Sequence, residues 1–250
     1  MSRSHEPVLL NEVIGVLNPQ PGEFFIDGTA GSGGHFALVV QRIGSKGTAL
    51  GIDRDKNAVE RLQHKFNLLG ETTRIIIEQG NYADLPDILK NKNMNLADCL
   101  LLDLGFSREQ IEAQGRGFSF LRDEPLDMRY DPDSKIMTAA EVINKLGEEE
   151  LSSIFIKYGE ERYAKSIARV IATSRKRMTI QTTGDLVRII EMTVRRTRLH
   201  PATRVFQALR IYVNRELENL ESVLRNLSHI VSVGGRVAVI SFHSLEDRIV

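Results

Sequence analysis

The first hundred residues alternate short, uninterrupted apolar runs with amphipathic segments, a pattern that few architectures accept. FFIDGT (24–29), TALGID (48–53), RIIIEQG (74–80) and ADCLLLDLG (97–105) have strand length, and GHFALVVQRI, DKNAVERLQHKF and LPDILKN lie between them. A strand with one wet face alternates apolar and polar residues, whereas a run that is apolar throughout is covered on both faces. Helices between successive runs therefore predict parallel strands joined by right-handed crossovers. Asp55 is placed to cap the second of these helices. The same pattern resumes at Thr203. There Phe206, Leu209, Val213, Leu217, Leu220, Leu224 and Leu227 recur every three or four residues, predicting one long helix with a single apolar face. GGR then reads as a stop and VAVISF as another buried strand.

Between these stretches the texture changes. After Gly105 comes a Gly/Arg/Asp-rich loop region, QGRGFSFLRDEPLDMRYDPDSK, followed by helical patterns around 138–172 and 182–197. The expected architecture is α/β, a Rossmann-like and mostly parallel sheet in a discontinuous domain of residues 1–105 and 200–250, interrupted by a mainly helical insertion at 106–199. The sequence stops at Val250, one turn into the helix that SLEDRIV suggests, so closing strands of the sheet are expected to be missing.

Composition narrows the class. A chain of 250 residues buries a core without disulfide or metal staples, and its one cysteine, Cys99, sits inside an apolar run, which fits a reducing, cytoplasmic setting. The N-terminal MSRSHEPVLLNEV has no apolar signal region, and no stretch of about 18 uncharged apolar residues occurs, so neither secretion nor membrane spanning is expected. Lys plus Arg equals Asp plus Glu at 33 each, yet 13 basic residues between Arg162 and Arg215 face only Asp185 and Glu191. Such an imbalance provides either a solvated helical surface or a local field for a polyanion. The histidines and the single cysteine form no metal-ligand pattern, and no metal is expected.

The segment IDGTAGSGGH places Gly31, Gly33 and Gly34 where the first strand gives way to the first crossover helix, a turn that brings main-chain N–H groups close to a ligand. Asp53 ends the second strand, 20 residues after Gly33, where a carboxylate can accept from both hydroxyls of a ribose. A dinucleotide fingerprint would need glycine at position 36, which is Phe36, and no G-x-x-x-x-G-K-[ST] loop is present. The arrangement D-x-T-x-G-x-G-G headed by Asp27 is instead similar to the first motif of class I S-adenosylmethionine-dependent methyltransferases. Acids around the turn suit a cationic sulfonium and would repel a pyrophosphate. LLLDLG delivers Asp103 to the same edge of the sheet, where an oxygen can accept a hydrogen bond from an exocyclic amine.

Taken in order, HEPVLLNEV, FIDGTAGSGGH, GIDRD, LLLDLG, RGFSF, PLDMR, YGEERYAKSIAR, HPATRVFQALRIYVNRELENLE and GGRVAVISFHSLEDRIV resemble the signature segments of the bacterial ribosomal RNA small-subunit methyltransferase H family, also called MraW. The resemblance spans nearly the whole chain. It implies N4-methylation of a cytidine in the decoding (P-site) region of 16S rRNA, within the small ribosomal subunit or its precursor. S-adenosylmethionine would be the donor and S-adenosylhomocysteine the product, with a helical insertion helping to hold the RNA. The family's cofactor contacts fall on Gly33, Gly34, His35, Asp53, Tyr82, Asp103 and Gln110. Tyr82 stands where Phe is commoner, and Phe106 and Arg108 depart from the usual V-S-S after the fourth strand. Asp103 is the expected catalytic residue, and His243 of SFHS a candidate for orienting the base or its phosphate. Two other readings stay open: the same fold acting on DNA or protein, and an RNA-binding assembly factor without turnover.

Overall fold

A computed structural model describes residues 7–69, 73–105, 115–194 and 199–250. The chain divides into two compact units, Met1–Gly105 with Leu217–Val250, and Phe106–Glu216.

The first unit is built on five parallel strands, β1 (Phe24–Asp27), β2 (Thr48–Asp53), β3 (Arg74–Gln79), β4 (Ala97–Asp103) and β5 (Val231–Ile240), in the order β3-β2-β1-β4-β5. The chain moves outward from β1 through β2 to β3, then returns to the other side of β1 for β4. This reversal opens a crevice at the carboxyl ends of β1 and β4, the place where open sheets of this kind hold ligands. Helices α1 (Leu10–Leu17), α2 (Gly34–Ile43) and α3 (Lys56–Leu69) supply one core and α4 (Leu85–Asn91) and α10 (Glu216–Arg225) the other. Alternate residues of β4 show why its sequence is apolar throughout. Cys99 and Leu101 pack with Val13, Leu17 and Phe36, while Leu100 and Leu102 pack with Leu85, Leu89 and Val223. The expected parallel α/β class is what is found, and α2 and α4 coincide with the predicted helical runs.

The edges of the sheet differ from expectation. GGR does not stop anything: β5 runs through it, with Gly234 at φ +83 inside the strand. Nor is β5 buried on both faces. Only Ala238 and Ile240 are buried, because β4 is the one strand paired with it among the described residues. Asp55 caps α3 as expected, its Oδ1 accepting the Asn57 N–H at 3.0 Å.

The second unit contains α5 (Ala139–Lys145), α6 (Glu148–Gly159), α7 (Ala164–Ser174), α8 (Thr183–Thr193) and α9 (Ala202–Asn214). Two helices start with reciprocal caps: Thr138 with Glu141, and Thr182 with Asp185. α9 packs on α6, which brings the backbone of Arg204 against Gly159. That packing places α9 in the helical unit, so the boundary falls after Glu216 and not at the expected 200. The single long helix expected from Thr203 is interrupted at Arg215, whose φ of +52 ends α9 before α10 begins.

Asn214 explains why the break is specified. Its Nδ2 donates to the carbonyls of Met128 (2.7 Å) and Arg210 (2.9 Å), and its Oδ1 accepts the Tyr130 N–H (2.9 Å), all in a buried setting. Met128 is itself held at φ +64, so the PLDMR segment is pinned to the end of α9. Truncating Asn214→Ala removes three buried hydrogen bonds at once and is expected to cost about 3 kcal/mol. Urea denaturation of the variant, followed by circular dichroism, measures that loss.

Candidate active site

The glycine turn and three carboxylates share one edge of the sheet in the first unit. Asp27 ends β1 and is 2% exposed, its Oδ1 accepting the Thr29 N–H at 3.0 Å and facing the Thr29 hydroxyl at 3.3 Å. Thr29 Oγ1 accepts the Asp103 N–H at 2.7 Å, tying the end of β4 to the turn after β1. Asp53, ending β2, accepts the Gly31 N–H at 2.8 Å through Oδ2 and the Asp55 N–H at 2.8 Å through Oδ1. It therefore holds the glycine turn in place, a structural duty that its strand-end position alone did not reveal.

Burial drives the electrostatics. Removal from water pushes the Asp27 carboxyl up to about 7, helped by the charges of Asp103 and Asp53 and opposed by the hydrogen bonds from Thr29. Burial likewise raises Asp53 to about 6 against the two backbone N–H groups that favour its charged form. An edge that gathers acids at this energetic cost suits a ligand carrying positive charge and hydroxyl donors, and disfavours one carrying phosphate.

The glycines divide into two kinds. A Cβ on Gly33, which lies at φ +74, would strike Leu62 of α3, and one on Gly34 would strike Pro7. Their side-chain space is filled by the chain itself. A Cβ on Gly31, which lies at φ +48, would meet only the Thr29 carbonyl oxygen, at 3.6 Å. His35 begins α2 with its ring 6% exposed, Nε2 set 2.9 Å from the Val8 carbonyl oxygen and Nδ1 3.7 Å from Asp103 Oδ2.

Tyr82 follows β3 in a short 3₁₀ turn capped by Asn81, and its Cβ lies where a side chain on Gly28 would point. His243 caps the last helix, α11 (Ser244–Asp247): Nδ1 accepts the Glu246 N–H at 3.3 Å, and Nε2 lies 3.3 Å from Glu246 Oε1. Beside it Phe242 is 55% exposed and packs near Gly105. Gln110, Phe106 and Arg108 lie outside the described residues, as do Arg195, Arg196 and Arg198. Thr29 is the residue that motif reading passed over; its place inside D-x-T-x-G, two positions after an acid, was the available signal.

Within the second unit, much of the basic surplus is used internally. Arg210 is buried against Glu216 at 3.0 Å, Arg175 donates to the Ile143 carbonyl at 2.6 Å, and Arg204 donates to that of Glu160 at 2.8 Å. Arg188 pairs with Asp185 at 2.6 Å. Arg162 before α7, Lys165 and Arg169 on it, Lys176 and Arg177 after it and Arg215 at the end of α9 are exposed, Arg169 lying 3.5 Å from Glu148. Among the described residues no helix is long and apolar enough to cross a membrane.

A parallel sheet with this strand order, a glycine turn opening α2 and acids ending β1, β2 and β4 define a class I, S-adenosylmethionine-dependent methyltransferase fold. The chain belongs to the MraW methylase family, whose model matches residues 2–250. It is 48% identical over 250 residues to the ribosomal RNA small subunit methyltransferase H of Syntrophotalea carbinolica, covering 98% of this chain and 79% of that one. It is 46% identical over 247 residues to the protein of the same name from Coprothermobacter proteolyticus, covering 98% and 81%. Among solved structures, a SAM-dependent methyltransferase from Aquifex aeolicus aligns at 21% identity with a TM-score of 0.32, over 38% of this chain and 47% of that one.

Two measurements test this description. Gly33→Ala combines a left-handed backbone with a collision against Leu62 and should cost about 2–4 kcal/mol, whereas Gly31→Ala carries only the backbone cost of about 1–2 kcal/mol; equal losses in urea denaturation would contradict the packing. A carboxyl raised by folding binds a proton that the unfolded chain has already released, so its contribution to stability is present below pH 4 and is lost as pH rises to about 7. Asp27→Asn should remove that decline from the ligand-free protein, by at most about 4 kcal/mol at pH 7. Parallel stability curves for the two proteins would show that Asp27 is not protonated.

Proposed function

We propose that this chain methylates N4 of a cytidine in the decoding (P-site) region of 16S rRNA, in the cytoplasm, on the small ribosomal subunit or its precursor. The observation that carries the proposal is the position of Asp103. It ends β4, next to β1 and the glycine turn, in a chain whose relatives bear the name ribosomal RNA small subunit methyltransferase H.

S-adenosylmethionine, when bound, supplies a methyl group on a positively charged sulfur and leaves as S-adenosylhomocysteine. The residues present fit it: Asp27, Asp53 and Asp103 offer negative charge and acceptors, and Gly31 leaves its side-chain space open. We assign its binding to the backbone of Gly33, Gly34 and His35, to Asp53 for the ribose, to the Tyr82 ring for the adenine, and to Asp103 and Gln110.

Asp103 accepts a hydrogen bond from the amine of the target base. That nitrogen shares its lone pair with the pyrimidine ring, so an acceptor that draws on its N–H frees the lone pair for attack. Alignment of the two reacting atoms provides much of the remaining acceleration. A base must leave its stack to reach such an edge, and folded RNA presents unstacked nucleotides more readily than duplex DNA. The exposed Arg162, Lys165, Lys176 and Arg177 support phosphate binding by the helical unit.

Labelled methyl should enter assembled small subunits and not duplex DNA, and nucleoside mass spectrometry should find it as N4-methylcytidine. Asp103→Ala should lower transfer by about 10²-fold or more with RNA binding retained. A different methylated atom, or full activity in the variant, would overturn the assignment.

A further inference from the structure

His35 meets two acceptors from opposite sides. A neutral imidazole carries one N–H, and a carbonyl oxygen can only accept, so the 2.9 Å contact with Val8 assigns that hydrogen to Nε2. Nδ1 then presents a lone pair toward Asp103 Oδ2, 3.7 Å away. That separation is just beyond hydrogen-bond distance and within reach of an ion pair once Nδ1 carries a proton. Thr29 fixes the Asp103 backbone from which the carboxylate reaches the ring. A buried base thus stands behind the acid assigned to the reaction.

We propose that His35 Nδ1 takes up, through Asp103, the proton released by the amine during methylation, an inference that rests on the role given to Asp103 above. The nitrogen lone pair forms the new N–C bond, and the carbon–sulfur bond breaks with its electron pair staying on sulfur. The nitrogen, now bearing one hydrogen too many, passes it to the Asp103 carboxylate. Asp103 relays it to Nδ1, which ends as an imidazolium beside a carboxylate, and Asp103 regains its charge. His35 acts through Asp103 and is in that sense a positioning residue with a proton-holding role.

The charged groups and acceptors of this edge come from five elements. Asp103 faces it from β4; Asp27 on β1 couples to Asp103 by charge. Asp53 on β2 binds the turn at Gly31, and Lys65 on α3 reaches the Ser32 carbonyl at 3.4 Å. The segment before α1 presents the Val8 carbonyl. The other histidine of this edge, His243, is turned to Glu246.

His35→Gln separates this role from a structural one, because the glutamine amide can still donate to Val8 and the backbone N–H that serves the cofactor is kept. The expected result is a kcat about 10²-fold lower with cofactor affinity by calorimetry unchanged within about threefold. Full rescue of kcat by Gln would overturn the proposal. Nitrogen-15 NMR of the ligand-free wild type reads the ring independently of any acceptor: the neutral ring should carry its hydrogen on Nε2, and a hydrogen on Nδ1 would equally overturn it. Failure of the wild type to methylate small subunits, with Nε2 carrying the hydrogen, would instead defeat the substrate assignment and leave the arrangement of His35 standing.

Discussion

Parallel pairing of β1 with both β2 and β4 forces the last residues of three strands onto one edge, and all three are carboxylates. Antiparallel neighbours would have sent Asp53 or Asp103 to the far side of the sheet. Because every crossover returns the chain to the same end, the acids accumulate where the strand order reverses, and two of them are lifted far above the usual carboxylate range. The remainder of the site is an answer to that crowding. Asp53 is tied to Gly31 and Asp55, Asp27 to Thr29, and the Thr29 hydroxyl accepts the backbone N–H of Asp103. A cationic methyl donor is the ligand that relieves such an edge.

Charge in the helical unit is apportioned differently. A count along the chain treats each arginine alike, but Arg210 is buried against Glu216, and Arg175 and Arg204 are spent on main-chain carbonyls. These serve packing: the carbonyls at the ends of α5 and α6 have no intrahelical donors, and an arginine from a neighbouring segment satisfies them. Among the described residues, Arg162, Lys165, Lys176, Arg177 and Arg215 are exposed to solvent.

Several elements were legible from local pattern alone. α2 and α4 occupy the runs that periodicity marks, and β2 coincides with TALGID, because continuous apolar runs and three-to-four spacings arise directly from burial on two faces or one. Other boundaries were not legible. α1 was overlooked although Val13, Ile14 and Leu17 share a face, and GGR resembled a stop although β5 crosses it. The apolar spacing from Phe206 to Leu227 runs unbroken through Arg215; what breaks the helix there is the hold of Asn214 on Met128 and Tyr130, partners 86 and 84 residues away.

The sequence by itself determined the class of fold and which residue types stand at the strand ends, since both follow from short-range periodicity and from the order of strands and helices. Only the tertiary structure decided what those residues do. Leu62 and Pro7 fill the side-chain space of Gly33 and Gly34, Val8 sets a carbonyl acceptor against His35 Nε2, and burial raises the Asp27 carboxyl to about 7. Each of these depends on a group brought in from elsewhere in the chain or on the exclusion of water. The contacts that join Gly31 to Asp53, His35 to Val8 and Asp103 to Thr29 span 22, 27 and 74 residues, distances over which no local pattern carries information.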